Sequence, residues 1–338
     1  MPRWSMVTAS LVALGALGTV GMNWYLLRQL RTYDPVTMEM PYTSAPLIPE
    51  FALDGRRTPS DFGVETWREV STPSFIDRSL QLRGWLLPAT GGPSSEAIVF
   101  VHGRWSNRLK PMGYLELMQT LGLDETHHLL FPDLRNSGAS DEAETGMGYH
   151  FAEDLTAWLL HLHETVGVER VTIYAFSMGA MATAVMGARP ELKAALDEQG
   201  LQVERVVMDS PLSNVQGNVE MNAARQGFPT WLVAMGLHSF SRTVDSALPS
   251  LRLSQLRPAT TWPWLILQGT ADVTTPHVLL QREVAAMDPA HVRLRTFPDG
   301  QHVKMYRASA HRAAYTAEVA AFLGSPKLIT APDSLTVP

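Results

Sequence analysis

The chain has 338 residues, of which 45% are hydrophobic and 18% charged, with a formal net charge of −6 and no cysteine. That apolar content at this length supports a large buried core and excludes disorder, and a negative balance without a Lys/Arg block excludes a nucleic-acid partner held by charge. Without cysteine there are no thiol nucleophiles, disulfides or thiolate metal sites, so any covalent catalysis runs through oxygen or nitrogen.

Between Arg3 and Arg28 no side chain is charged, and Val7 to Leu27 offers 21 mostly apolar residues. As a helix at about 1.5 Å per residue, that stretch roughly matches a hydrocarbon core of about 30 Å. Trp4 and Trp24-Tyr25 stand where interfacial aromatics are expected, with Arg28 and Arg31 just beyond. Residues 1–31 are therefore expected to form a single-pass membrane anchor, the chain's contact with the membrane, with the rest of the protein extracytoplasmic. A cleaved signal peptide is the competing expectation, although no Ala-x-Ala-like site precedes the aromatics.

Residues 32–60 carry Pro35, Pro41, Pro46, Pro49 and Pro59 with little apolar periodicity, as expected of a linker or a strap lying on the domain. The globular part is expected over 61–326, followed by a tail at 327–338. Strand-type runs are predicted at 65–70, 80–87, 97–101, 128–133, 170–176, 205–209, 264–268 and 293–297. The later ones are continuously apolar, as in Ile98-Val99-Phe100-Val101, which suits strands buried on both faces of a parallel sheet. Leu80-Gln81-Leu82-Arg83-Gly84-Trp85 alternates instead and predicts an antiparallel entry hairpin.

Helical stretches are predicted at 149–166, 178–188, 276–286 and 304–323, so the fold class is α/β with a doubly wound, mostly parallel eight-stranded sheet. One connection breaks the rhythm. Residues 211–262 are far longer than an ordinary βα loop and include Met221, Phe228, Trp231, Leu232, Met235, Leu237 and Phe240, which predicts a helical lid insertion. Those side chains, with Trp105, either line an acyl pocket or pack as ordinary core.

The run Tyr174-Ala175-Phe176-Ser177-Met178-Gly179-Ala180 follows an apolar strand and opens a helix. In a nucleophile elbow the residues two before and two after the serine must be small, because the helix folds back on the strand. Ala175 and Gly179 meet that need, although glycine is the usual residue at the first of the two positions. Serine is a weak nucleophile alone, so a base and an orienting carboxylate must lie on neighbouring strand ends. Asp272 follows the seventh strand and His302 the eighth, in the chain order Ser177, Asp272, His302 of α/β-hydrolases.

With these motifs stand Val101-His102-Gly103-Arg104 followed by Asn107-Arg108, Asp133-Leu134-Arg135-Asn136-Ser137-Gly138-Ala139-Ser140, Met208-Asp209-Ser210-Pro211 and His302-Val303-Lys304-Met305-Tyr306. On these residues the chain resembles the α/β-hydrolase superfamily from about residue 64 onward, and in particular its bacterial membrane-anchored serine hydrolases. The resemblance implies the α/β-hydrolase fold, with an oxyanion hole formed by the backbone N–H groups of Arg104 and Met178. Asp133 and Arg135 belong to a loop read as structural, in which Asn136 replaces the family's glycine.

Asp209 is the alternative acid, since some members of the superfamily take it from that strand. The other histidines lack a post-strand loop; His161 and His163 face different sides of a helix and no His-Glu-x-x-His occurs, so no metal and no cofactor is expected. The expected activity is serine hydrolysis of a small-molecule acyl substrate, an ester, thioester or amide, through an acyl-enzyme. Acyl transfer or peptide cleavage by the same triad, and binding without catalysis, stay open as alternatives, as does the oligomeric state.

Overall fold

Runs of apolar, β-branched and aromatic residues form one sheet whose central strands are covered on both faces. The computed structural model describes residues 20–21, 23–39, 55–242 and 251–324. The strands are β1 (Arg68–Pro73), β2 (Gln81–Leu87), β3 (Glu96–Val101), β4 (His128–Pro132), β5 (Arg170–Phe176), β6 (Gln202–Asp209), β7 (Trp264–Gly269) and β8 (Val292–Phe297). Their order is β8-β7-β6-β5-β3-β4-β2-β1. Pairing is parallel from β8 across to β4, whereas β2 runs antiparallel to both β4 and β1. The chain order reverses at β3, and in open α/β sheets ligands bind beyond the carboxyl ends of strands at such a point.

Alternate residues of β3 divide between two cores. Val99 and Val101 join the core formed with α2 (Phe151–Val166) and α3 (Met178–Ala188). Ile98 and Phe100 join the opposite core, with α1 (Leu115–Leu121), the shorter turns beside it within Leu109–Thr126, and the last helix, Ser309–Leu323. Each fully buried large apolar side chain there contributes roughly 1.5–3 kcal/mol. The last helix begins at Ser309 rather than Lys304, because Val303 adopts φ 54 and the chain turns until Ala308.

The β6–β7 connection carries α4 (Val215–Arg225), opened by an Asn214 side chain that accepts the Gly217 N–H at 2.8 Å, and α5 (Thr230–Ser241). Leu232, Val233 and Leu237 of α5 are buried, while Trp231 is 58% exposed.

The expected single-pass membrane location, with an extracytoplasmic remainder, needs correction. Among the described residues no helix is long and apolar enough to cross a membrane. Residues 1–19 and Met22 of the expected anchor lie outside the described residues. The helical residues 23–31 lie against the domain instead: Leu30 is buried, Leu27 packs on the core, and Asn23 donates to Ser239 of α5 at 3.3 Å. Beyond that helix Tyr33 and Val36 are buried too, and Val36–Thr37 pairs in parallel with Ser137–Gly138. Leu27 and Leu30 thus pack on protein, while Val20, Trp24 and Tyr25 are exposed.

Candidate active site

Ser177 stands between the end of β5 and the first residue of α3 with φ 51 and ψ −115. A non-glycine residue pays roughly 1–3 kcal/mol for such a conformation, and it persists only where the surroundings hold it. The Ser177 N–H donates to the Asp209 carbonyl at 3.0 Å, and the Ser177 carbonyl accepts the Leu212 N–H at 3.0 Å. The helix returns so closely that a Cβ on Gly179 would stand 2.5 Å from the carbonyl oxygens of Val101 and His102, and one on Gly103 2.8 Å from the Ser177 Cβ. Ala175 is fully buried in β5, so its methyl group is accommodated.

Asp272 and His302 come together from the loops after β7 and β8. His302 Nδ1 lies 2.8 Å from Asp272 Oδ2, which also accepts from the Thr275 hydroxyl at 2.8 Å and Gln268 Nε2 at 3.1 Å. Asp272 Oδ1 accepts the N–H groups of Thr274 and Thr275 at 2.8 and 2.9 Å. Burial pushes this carboxyl's pKa up, but the hydrogen bond and charge of His302 and the Thr275 donors outweigh it and hold it below the usual value. Asp272 is therefore an anion aimed at an imidazole N–H. Among the described residues the Ser177 hydroxyl makes no hydrogen bond, so His302 is paired with Asp272 and not with Ser177. Such catalytic contacts often tighten only once substrate is bound.

Asp209 is engaged elsewhere. Its Oδ2 accepts the hydroxyls of Tyr114 at 2.9 Å and Tyr315 at 2.7 Å, and its Oδ1 that of Ser210 at 2.9 Å. Tyr174 lies 2.5 Å from the Tyr315 hydroxyl, extending the buried chain. Burial raises the Asp209 pKa despite these donors.

The loop after β3 is held by a residue whose part the sequence did not disclose. His102 Nε2 accepts the Leu134 N–H at 3.0 Å, so Nδ1 carries the proton that it donates to the Gly103 carbonyl at 2.8 Å. Burial lowers the His102 pKa to about 4, which keeps the ring neutral. The Gly103 carbonyl and the Arg104 N–H belong to one planar trans peptide and point in opposite directions, so holding the first aims the second. Among the described residues neither the Arg104 nor the Met178 N–H donates to a protein acceptor.

Asp133 ties this loop to the next, accepting the N–H groups of Arg108 at 2.7 Å and Ala139 at 2.9 Å and pairing with Arg108 Nε at 3.2 Å. Arg135 is buried in a separate ion cluster with Glu153 and Asp154, both at 2.8 Å. Trp105 is 59% exposed and has φ 51, with its ring edge-on to Tyr33. His163 Nδ1 bonds the Val168 carbonyl, and among the described residues no cluster of three or more His, Asp or Glu could hold a metal.

A family profile described as alpha/beta hydrolase fold matches residues 96–235. No curated protein matches the sequence. Among solved structures the chain is similar to an esterase of Pyrococcus furiosus, with 21% identity, a TM-score of 0.59, and coverage of 80% of this chain and 94% of that one. An esterase of the planctomycete Thermogutta terrifontis aligns with 16% identity and a TM-score of 0.54 over 78% of this chain and 94% of that one. An acylaminoacyl peptidase of Pyrococcus horikoshii aligns with 15% identity and a TM-score of 0.56 over 77% of this chain and 41% of that one. At these identities the likeness is one of fold.

Proposed function

From the premise that this chain has the α/β-hydrolase fold, we propose that it is a serine hydrolase acting on a small-molecule carboxylic ester through an acyl-enzyme. The observation that carries the reading is the ionised Asp272 hydrogen-bonded to His302 at 2.8 Å, on the loops next to the strained turn that presents Ser177. In this reading His302 takes the Ser177 proton through Nε2 as the hydroxyl attacks the carbonyl carbon, and Asp272 stabilises the imidazolium. The N–H groups of Arg104 and Met178 receive the developing oxyanion, where losing one donor typically costs about 10²–10³ in kcat. The imidazolium returns its proton to the leaving alcohol, and water attacks the acyl-enzyme by the same route reversed. Residues 211–262 are read as the lid over this site.

A fluorophosphonate probe should label the protein on Ser177, and p-nitrophenyl esters of short acids should be hydrolysed. No labelling, or equal labelling of Ser177→Ala, would overturn the proposal.

A further inference from the structure

We propose that the side chain of Arg104 is a positioning residue, which hooks the oxyanion loop onto the carboxyl end of the N-terminal helix and so makes residues 23–37 a working part of the active site. The inference rests on the serine-hydrolase reading above and concerns the regulation of its oxyanion hole. From the sequence the resemblance gave Arg104 a role through its main chain only.

The hook is an unusual use of a charge. Arg104 Nη2 donates to the Gln29 carbonyl at 2.6 Å and to the Thr32 carbonyl at 3.0 Å, and Nη1 lies 3.2 Å from Met147 Sδ. Its guanidinium carbon sits 5.2 Å from the Tyr33 ring centre and 4.7 Å from that of Trp105. Arg104 has no carboxylate partner among the described residues, and its Nε is buried without an acceptor. The last carbonyls of a helix lack intrahelical donors and carry the negative end of its dipole, so a guanidinium fork suits them. Burial brings the pKa down only to about 10, and the hook stays charged at neutral pH.

The peptide that the hook steadies is the one the chemistry needs. His102 fixes the carbonyl edge of the Gly103–Arg104 peptide, and the Arg104 side chain anchors the Cα on its other side. The next residue, Trp105, is strained at φ 51. With the hook cut, Trp105 can relax to an ordinary φ and carry the Arg104 N–H off its aim. Bonds that do not involve Arg104 also dock the segment. Tyr33 Oη meets Ser137 Oγ at 2.9 Å, Asn136 Nδ2 donates to the Tyr33 carbonyl at 2.7 Å, and the Thr145 N–H donates to the Arg31 carbonyl at 2.8 Å.

Three full-length variants test this: Arg104→Met, Arg104→Lys, and Glu144→Ala, which removes the docking bond from Arg31 Nε at 2.9 Å and leaves Arg104, Tyr33 and Trp105 untouched. With a p-nitrophenyl ester, Arg104→Met should lower kcat about 10–100-fold, short of the loss of a whole oxyanion donor, with KM within about threefold. Arg104→Lys, which keeps the charge but not the fork, should fall between Arg104→Met and wild type. A trifluoromethyl ketone, which mimics the oxyanion, should bind Arg104→Met weaker by the factor lost in kcat. Glu144→Ala should melt no higher than wild type and keep its kcat. A folded Arg104→Met with wild-type kcat and ketone affinity overturns the inference, as does an equal loss of kcat in Glu144→Ala. Wild-type protein that fails to react with a fluorophosphonate overturns the serine-hydrolase reading as well, so the two failures are distinguishable.

Discussion

Replacing the two candidate acids in turn separates their roles. In Asp272→Asn the side-chain oxygen can keep the N–H groups of Thr274 and Thr275, at 2.8 and 2.9 Å, only if the new amide takes the place of Oδ2. There it faces three groups that now donate or can donate: His302 Nδ1, the Thr275 hydroxyl and Gln268 Nε2. Donor would meet donor, so the imidazole should move its proton to Nε2 and lose the lone pair that takes the Ser177 proton in the proposed mechanism. A triad held in the wrong tautomer in this way loses about 10⁴ in kcat. The Asp209→Asn change is of another kind. One amide oxygen can still accept both tyrosine hydroxyls, and the amide nitrogen faces Ser210 Oγ, which can turn from donor to acceptor. The cost should be about 1–3 kcal/mol of stability for one imperfectly satisfied buried group, with kcat within about tenfold of wild type. Ester hydrolysis, fluorophosphonate labelling rates and thermal melts on both variants measure this. Should Asp209→Asn lose as much kcat as Asp272→Asn while staying folded, the hydrogen-bond reasoning is wrong.

Glycine at Ser177 removes the Cβ that makes φ 51 unfavourable, so Ser177→Gly should melt about 2–4 °C above Ser177→Ala, a net gain of about 1 kcal/mol after glycine's own entropy cost; equal melting temperatures would remove the case for strain. Gly179→Ala puts a methyl group 2.5 Å from two backbone carbonyl oxygens that cannot step aside, and should cost at least about 3 kcal/mol in a denaturant titration. His102 has a folded pKa of about 4 against 6.5 for the free group, so its unfolded form binds the proton first as pH falls. Stability from its neutral ring is full above about pH 6.5 and is lost progressively down to about pH 4, by roughly 3 kcal/mol in all. The stability difference between wild type and His102→Gln should therefore shrink between pH 7 and pH 5, and a constant difference would contradict the burial argument.

The sheet was legible because strands covered on both faces must be apolar at every position: Ile98-Val99-Phe100-Val101 and Trp264-Leu265-Ile266-Leu267 each supply two cores at once. The helix after Ser177 was legible to the residue, since the small residues that let it return on the strand also mark where it starts. The N-terminal stretch misled because an apolar helix has the same composition whether lipid or protein covers it. Only the packing of Leu27 and Leu30 on the core, and of Asn23 on Ser239, distinguishes the two. Asp272, on the loop after β7, was the expected acid, and Asp209, the last residue of β6, its alternative. What separates them are the hydroxyls of Tyr114 and Tyr315, each from a distant part of the chain. His102 drew notice only as part of a turn, because nothing in a His-Gly pair says which backbone groups the ring will meet.

Six of the seven non-glycine residues with positive φ among the described residues lie just beyond the carboxyl ends of parallel strands: Trp105, Asn136, Ser177, Ser210, Asp299 and Val303. Strain of this sort concentrates where a rigid scaffold can hold it, and here four of the N–H groups find partners on neighbouring strand ends or loops. Ser177 donates to the Asp209 carbonyl, Ser210 to the Leu267 carbonyl, Val303 to Ser210 Oγ and Asp299 to Thr270 Oγ1. The end of β6 thus grips Ser177 through one carbonyl and the residue after His302 through one hydroxyl, and Asp209 orients that hydroxyl. Asp209 is thus linked through Ser210 Oγ to the N–H of Val303, the residue after His302, without touching the imidazole. Trp105 differs from the rest: its own N–H donates to no protein acceptor among the described residues. Its strain must be held by side chains, and those that reach it are Tyr33, edge-on at 6.3 Å, and the guanidinium of Arg104. The loop after β3 is therefore tied to a segment far from it in sequence, and under the proposed mechanism it is there that substitution at the end of the N-terminal helix should be felt.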